Sequence, residues 1–149
     1  VLPSPNGATL VLLAAEFGTT VFAGCLRNAA ATAAACRALG GSVAVIAAGE
    51  RWRANGEATG SLRPAVEDLV GAGAILDALE PTRPSPEASA AMAAFHTAKS
   101  DLGRFLDDCS SGRELRERGF AADVALATRL NASRPALWLE HDAFAPQAP

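Results

Sequence analysis

Thr20-Val21-Phe22-Ala23-Gly24 and Val43-Ala44-Val45-Ile46-Ala47, separated by the Ala-rich stretch Ala29–Leu39, are the residues on which the fold turns. The first is a short apolar strand that stops at Gly24. The second is a continuous apolar run, the pattern of a strand covered on both faces. Between them, Asn28 is a good N-cap for an Ala-rich helix, and Gly40-Gly41 supplies the glycines that end one. Strand, helix and strand with short connections predict a parallel βαβ unit with a right-handed crossover. The expected fold class is therefore α/β, a three-layer α/β/α arrangement with a mainly parallel sheet built on that unit.

Upstream, Ser4-Pro5-Asn6-Gly7 is turn chemistry, because Pro restricts φ while Asn and Gly tolerate positive φ. Residues 8–17 then read as a buried helix that Gly18 ends. Downstream, residues 49–62 form the longest polar loop, with glycines at 49, 56 and 60. Pro64 suits the first turn of a helix running to about Leu79, whose apolar positions Val66, Leu69, Val70, Gly73 and Leu76 follow helical spacing. A turn-rich link over 81–86 leads to helix over 87–108, then to shorter helices over 112–118 and 121–130. Residues 136–139 predict a last strand. There is no internal repeat.

The 149 residues, half of them hydrophobic, suit one domain over 1–149 with a sizeable core. A net charge of -3 without any basic run argues against a nucleic-acid partner. No apolar run reaches the ~18 residues that a membrane span needs. Cys25, Cys36 and Cys109 are odd in number and match no zinc or redox spacing, which points to the cytoplasm. Lys99 is the only Lys beside twelve Arg. That bias follows from base composition, or from guanidinium recognition of phosphate, sulfonate and carboxylate. The chain opens on Val1 with residues typical of a protein interior, so an upstream segment is expected.

In an open parallel sheet, ligands sit beyond the carboxyl ends of the strands. Three segments should converge there: Gly24 to Asn28 after the first strand, Gly49 to Arg53 after the second, and Ser4 to Gly7 before a helix whose free N–H groups favour an anion. Asn28 is a helix cap or a ligand contact. Arg27, Arg51, Arg53 and Arg63 are solvated loop charges or anion grips, and together they call for an anion or for carboxylates to answer them. Glu50, Glu57, Glu67 and Asp68 are the available acids. Glu67 and Asp68 either counter a helix dipole, or one of them joins Glu50 in holding Mg²⁺, a cation usually bound by one or two carboxylates plus water and phosphate.

Several chemistries are excluded. A cysteine phosphatase needs Arg six residues after its Cys, but Ala31 and Leu115 stand there. No Asp-x-Asp nucleophile, Arg-His-Gly motif or P-loop is present. His96 and His141 are too far apart for a zinc pair. Cys25 lacks a neighbouring His and reads as a buried, inert thiol.

Four stretches in register resemble the 2-phosphosulfolactate phosphatase family, which serves coenzyme M biosynthesis. They are Ser4 to Gly7, Ala23 to Ala29, Val45 to Arg51, and Arg63 to Asp68 with Gly71-Ala72-Gly73. The later run from Ser111 through Gly119 to Val124 also fits. The resemblance implies an α/β phosphatase that uses Mg²⁺ to hydrolyse the phosphate ester of 2-phospho-3-sulfolactate. It also implies an upstream segment carrying an Asp, an Arg and a Thr-rich turn, so that this chain is the C-terminal portion of the phosphatase. On that reading Glu50, Glu67 and Asp68 hold the ion, directly or through water, as the catalytic and metal residues. Ser4, Asn6, Gly7, Arg27 and Asn28 surround the phosphate, Arg51 or Arg63 answers the second anionic group, and a metal-oriented water attacks. The partner is a small phosphorylated anion, and homo-oligomerisation is left open. The alternatives are a non-catalytic anion-binding or regulatory α/β domain, and a purely structural partner domain.

Overall fold

A computed structural model describes residues 6–52 and 60–146. Helices dominate. In chain order they are α1 Gly7–Glu16, α2 Ala29–Leu39, α3 Val66–Leu79, α4 Pro86–Ala98, α5 Leu102–Asp108, α6 Ser110–Glu117 and α7 Ala121–Ala127. The strands are short: β1 Phe22–Ala23, β2 Glu50–Arg51, β3 Leu62–Arg63, β4 Leu137–Glu140 and β5 Ala143–Pro146. Among the described residues no helix is long and apolar enough to cross a membrane.

The core is built where α3 crosses α4 and α2. Val70, Ala74 and Ile75 of α3 pack with Phe95 and Ala98 of α4, joined by Leu26, Ala29, Leu102, Leu106 and Val124. Close approach depends on small residues. A Cβ on Gly73 would run into the Ala91 carbonyl, so only glycine lets these two helices meet as they do. Ser85 caps α4 by accepting the Ala88 N–H at 3.2 Å, with Pro86 in the first turn. The single helix expected over 87–108 is interrupted by a 3₁₀ turn at Lys99–Asp101, and Asp101 restarts it by capping the Arg104 N–H at 3.0 Å.

The architecture is mixed α/β, but the three-layer parallel sheet is not what the chain forms. Its sheets are small and antiparallel. One has the order β1-β4-β5, with Phe22 opposite Trp138 and Leu137 opposite Pro146. The other pairs β2 with β3, Glu50 opposite Arg63. The second half of the expected βαβ unit is the element that differs. Residues 43–47 take no strand assignment, and Ile46 is 64% exposed. An apolar run becomes a covered strand only if neighbours supply its ladder hydrogen bonds, and among the described residues none does. The first strand instead pairs with the C-terminal segment, where the Leu139 N–H reaches the Val21 carbonyl at 2.8 Å. The helix over 7–16 forms as expected but is not buried: it has no buried residue, and Phe17 at its end is 84% exposed. Cys25, expected to be a buried thiol, is likewise exposed.

Candidate active site

Gly49, in the left-handed region at φ 74°, turns the chain into β2 and so presents Glu50. A side chain there would crowd Leu62 and the Arg63 carbonyl as well as being strained. Glu50 Oε1 accepts two N–H groups, from Asn6 Nδ2 at 2.7 Å and from the Arg51 backbone at 2.8 Å. The first of these bonds spans 44 residues and brings the turn before α1 onto the rim beside β2. Gly7, the first residue of α1, arrives with it. Arg51 Nη1 is steadied by the Gly60 carbonyl at 3.2 Å.

Pro64 and the extended Ala65 lead into α3, whose first turn carries Glu67 and Asp68. Partial burial pushes the Asp68 carboxyl above its usual range. The charge of Glu67 and, more weakly, of Glu50 adds to this, against an N–H bond from Gly49 that lowers it. The three acids therefore share one electrostatic neighbourhood. Glu67 also meets Cys109, whose Sγ lies 3.8 Å from Oε2 and accepts the Gly112 N–H at 3.3 Å as the N-cap of α6. Burial raises the Cys109 thiol, helped by the Glu67 charge, so the sulfur stays protonated and donates to the carboxylate.

Between these elements lies a cleft of 270 Å³. Glu50, Arg51, Glu67, Cys109, Ser111, Gly112, Glu114, Arg118 and Asp123 line it, with Leu106, Leu115, Val124 and Ala127 as apolar lining. Gly112 is required there, because a Cβ would collide with the Leu106 carbonyl. A second hollow, lined by Val66, Ser100, Asp101 and Arg104 among others, contains none of the residues expected at the site. Among the described residues no three His, Cys, Asp or Glu are arranged as a metal cage.

The family model for 2-phosphosulpholactate phosphatase matches residues 1–141 of the 149. The chain belongs to that family. No curated protein matches it. Membership makes the chain a phosphoric monoester hydrolase acting on a small phosphorylated substrate, as the five stretches led one to expect.

In this phosphatase the expected site residues divide into two groups. Asn6, Glu50, Arg51, Glu67 and Asp68 come together at or beside the cleft. Arg27, Asn28 and Arg63 are committed to protein groups. Arg27 Nη1 donates to the Leu126 carbonyl at 2.9 Å. Asn28 is buried; its Oδ1 accepts the Cys25 N–H at 2.8 Å and its Nδ2 donates to the Ala23 carbonyl at 3.0 Å. Asn28 makes no side-chain cap for α2; Asn131 reaches across to take the Ala30 N–H at 2.8 Å. Arg63 is buried under Trp52, 5.1 Å from the ring centroid, and pairs with Glu114 at 2.9 Å. Ser4, Arg53 and Glu57 lie outside the described residues.

Asn28→Ala is expected to cost about 1–2 kcal/mol by orphaning an N–H and a carbonyl. Urea unfolding of the variant measures this, and an unchanged midpoint would contradict it. Sequence reasoning left Cys109, Glu114, Arg118 and Asp123 out of the site. Their signal was the run 111–124, visible as part of the resemblance but too far along the chain to be joined to Glu50.

Proposed function

We propose that this cleft hydrolyses the phosphate monoester of 2-phospho-3-sulfolactate, or of a similar small dianionic substrate, with Mg²⁺ as cofactor. The reading is carried by the meeting of Glu50 and Glu67 with Arg51 in one cleft, next to an Asp68 carboxyl whose charge those acids disfavour. Such crowding of negative charge is what a bound cation relieves. The donor chemistry fits Mg²⁺, which takes oxygen ligands and commonly only one or two carboxylates, the rest being water and phosphate. Since no three acids among the described residues form a cage, Glu50 with either Asp68 or Glu67 would supply its one or two carboxylates, and the ion would neutralise phosphoryl oxygens as the ester bond breaks.

The chain's own groups account for the remaining work. Arg51 grips the phosphoryl oxygens, its fork suiting two of them at once. Asn6 and the Arg51 N–H hold Glu50 in place. Where Asp68 is the acid that joins Glu50 at the ion, Glu67, oriented by the Cys109 thiol, is left to accept a proton from the attacking water and to return it to the departing alcohol. Water forms the new bond to phosphorus, the ester oxygen leaves, and the alcohol takes up a proton.

The test is phosphate release from 2-phosphosulfolactate with Mg²⁺ and after chelation. Release that depends on Mg²⁺ is expected, while release undiminished by chelator would remove the metal from the scheme. Thermal stabilisation by phosphate without any turnover would instead identify a binding domain on the same scaffold.

A further inference from the structure

Several Arg residues around the site are already neutralised by an acid. Arg63 pairs with Glu114, Arg116 with Asp107, and Arg104 with Asp108. Among the described residues, Arg51 and Arg118 are the guanidiniums that line the cleft without a carboxylate within 4.0 Å. They come from different elements. Arg51 stands on β2 beside Glu50, and Arg118 closes the C-terminal end of α6. The Arg118 guanidinium lies over the Phe120 ring, 5.5 Å from its centroid, which restrains it without neutralising it.

We propose that Arg118 is the specificity residue for the second anionic group of the substrate, the sulfonate or carboxylate at the end away from the phosphate. The proposal rests on the hydrolase reading above and deepens it. With Arg63 committed to Glu114, Arg118 is, among the described residues, the guanidinium besides Arg51 that lines the cleft with no acid paired to it. The substrate class is accordingly a small phosphate ester with an oxyanion at its far end. A cleft of 270 Å³ suits such a molecule, being below the usual range for drug-sized ligands. An Arg at a helix C-terminus also favours the helix dipole, so the experiment must separate recognition from stability.

Three substrates serve: 2-phosphosulfolactate, 2-phosphoglycerate with a carboxylate in place of the sulfonate, and p-nitrophenyl phosphate with no second anion. Arg118→Gln should raise KM for the sulfonate or the carboxylate substrate by about 10–100-fold, the loss of a charge-assisted pair, with kcat little changed. Whichever of the two suffers the larger loss is the far-end group read. Hydrolysis of p-nitrophenyl phosphate should be unaffected. Arg118→Lys should recover only part of the loss, since it keeps the charge without the fork. Calorimetry with 3-sulfolactate and with glycerate, which carry the far-end anion but no phosphate, needs no turnover. The wild type should bind at least one of them and Arg118→Gln should not. An equal fall on all three substrates, or acid binding that survives the substitution or is absent from the wild type, would overturn the assignment. If no substrate is turned over, the hydrolase reading fails, and calorimetry still decides the role of Arg118.

Discussion

Asp68→Asn is expected to abolish most phosphate release while raising the melting temperature of the chelated protein. Asn keeps the shape of Asp and an oxygen for the Gly49 N–H, but not the charge. In the folded chain burial, Glu67 and Glu50 all raise the Asp68 carboxyl, so the native state holds this proton to higher pH than the unfolded chain does. Stability then falls as pH rises from the ordinary Asp range through the raised folded value, and above it the penalty is fully present. At neutral pH the variant escapes that penalty. Below the ordinary Asp range both states of the wild type are protonated, and the advantage should vanish. The group is only partly buried, so solvent screening keeps the gain small. The catalytic loss should be large, on the order of 100-fold or more, as for removal of a charge that organises the reacting centre. Added Mg²⁺ should stabilise the wild type more than the variant. A variant that melts lower in chelator, or that keeps activity within about threefold of wild type (well short of the loss expected at such a centre), would refute this account of Asp68.

The two halves of the Arg63–Glu114 pair should behave unequally. Arg63 is 94% buried; among the described residues its Nε has no partner, and its contacts include Glu114, the Trp52 face and the Ser111 hydroxyl at 3.5 Å. The Glu114 side chain is about half exposed. Glu114→Ala strands an enclosed guanidinium and should cost about 3 kcal/mol, the lower end for breaking a buried pair. Arg63→Met replaces the guanidinium by an apolar chain of similar length and leaves a carboxylate that water can solvate, so about 1 kcal/mol is expected. Denaturant unfolding of both variants decides it, and equal costs would mean that Arg63 is better solvated than its burial implies. Because β3 is tied to α6 through this pair, Glu114→Ala should also loosen the cleft wall.

Much of the helical framework was legible along the chain. The Ala-rich run between Asn28 and Gly40 is α2 with the expected limits, and Pro64 with the spacing of Val66, Val70 and Gly73 marks α3. These are local signals: a helix satisfies its own backbone within a few residues, so its start, face and end are written nearby. The last strand also falls close to where its apolar run placed it. Residues 43–47 carry no such local signal of their partners: their composition is that of a covered strand and their surroundings are not.

The local setting of the proposed acids was legible for the same reason. Glu50 follows a glycine turn, and Glu67 and Asp68 open a helix. Arg63 was not, because one sequence position cannot tell a free guanidinium from one answered by Glu114, 51 residues away. Asn28 likewise looked like a cap until Asn131, 101 residues downstream of Ala30, took that role.

By itself the sequence determined the family and much of the helical framework, both properties of residues close together in the chain or of stretches in register. Only the tertiary structure decided which strands pair, which Arg stay free and which α6 residues face Glu67. Those outcomes depend on hydrogen bonds and charges meeting across tens of residues, and no local pattern encodes the partner.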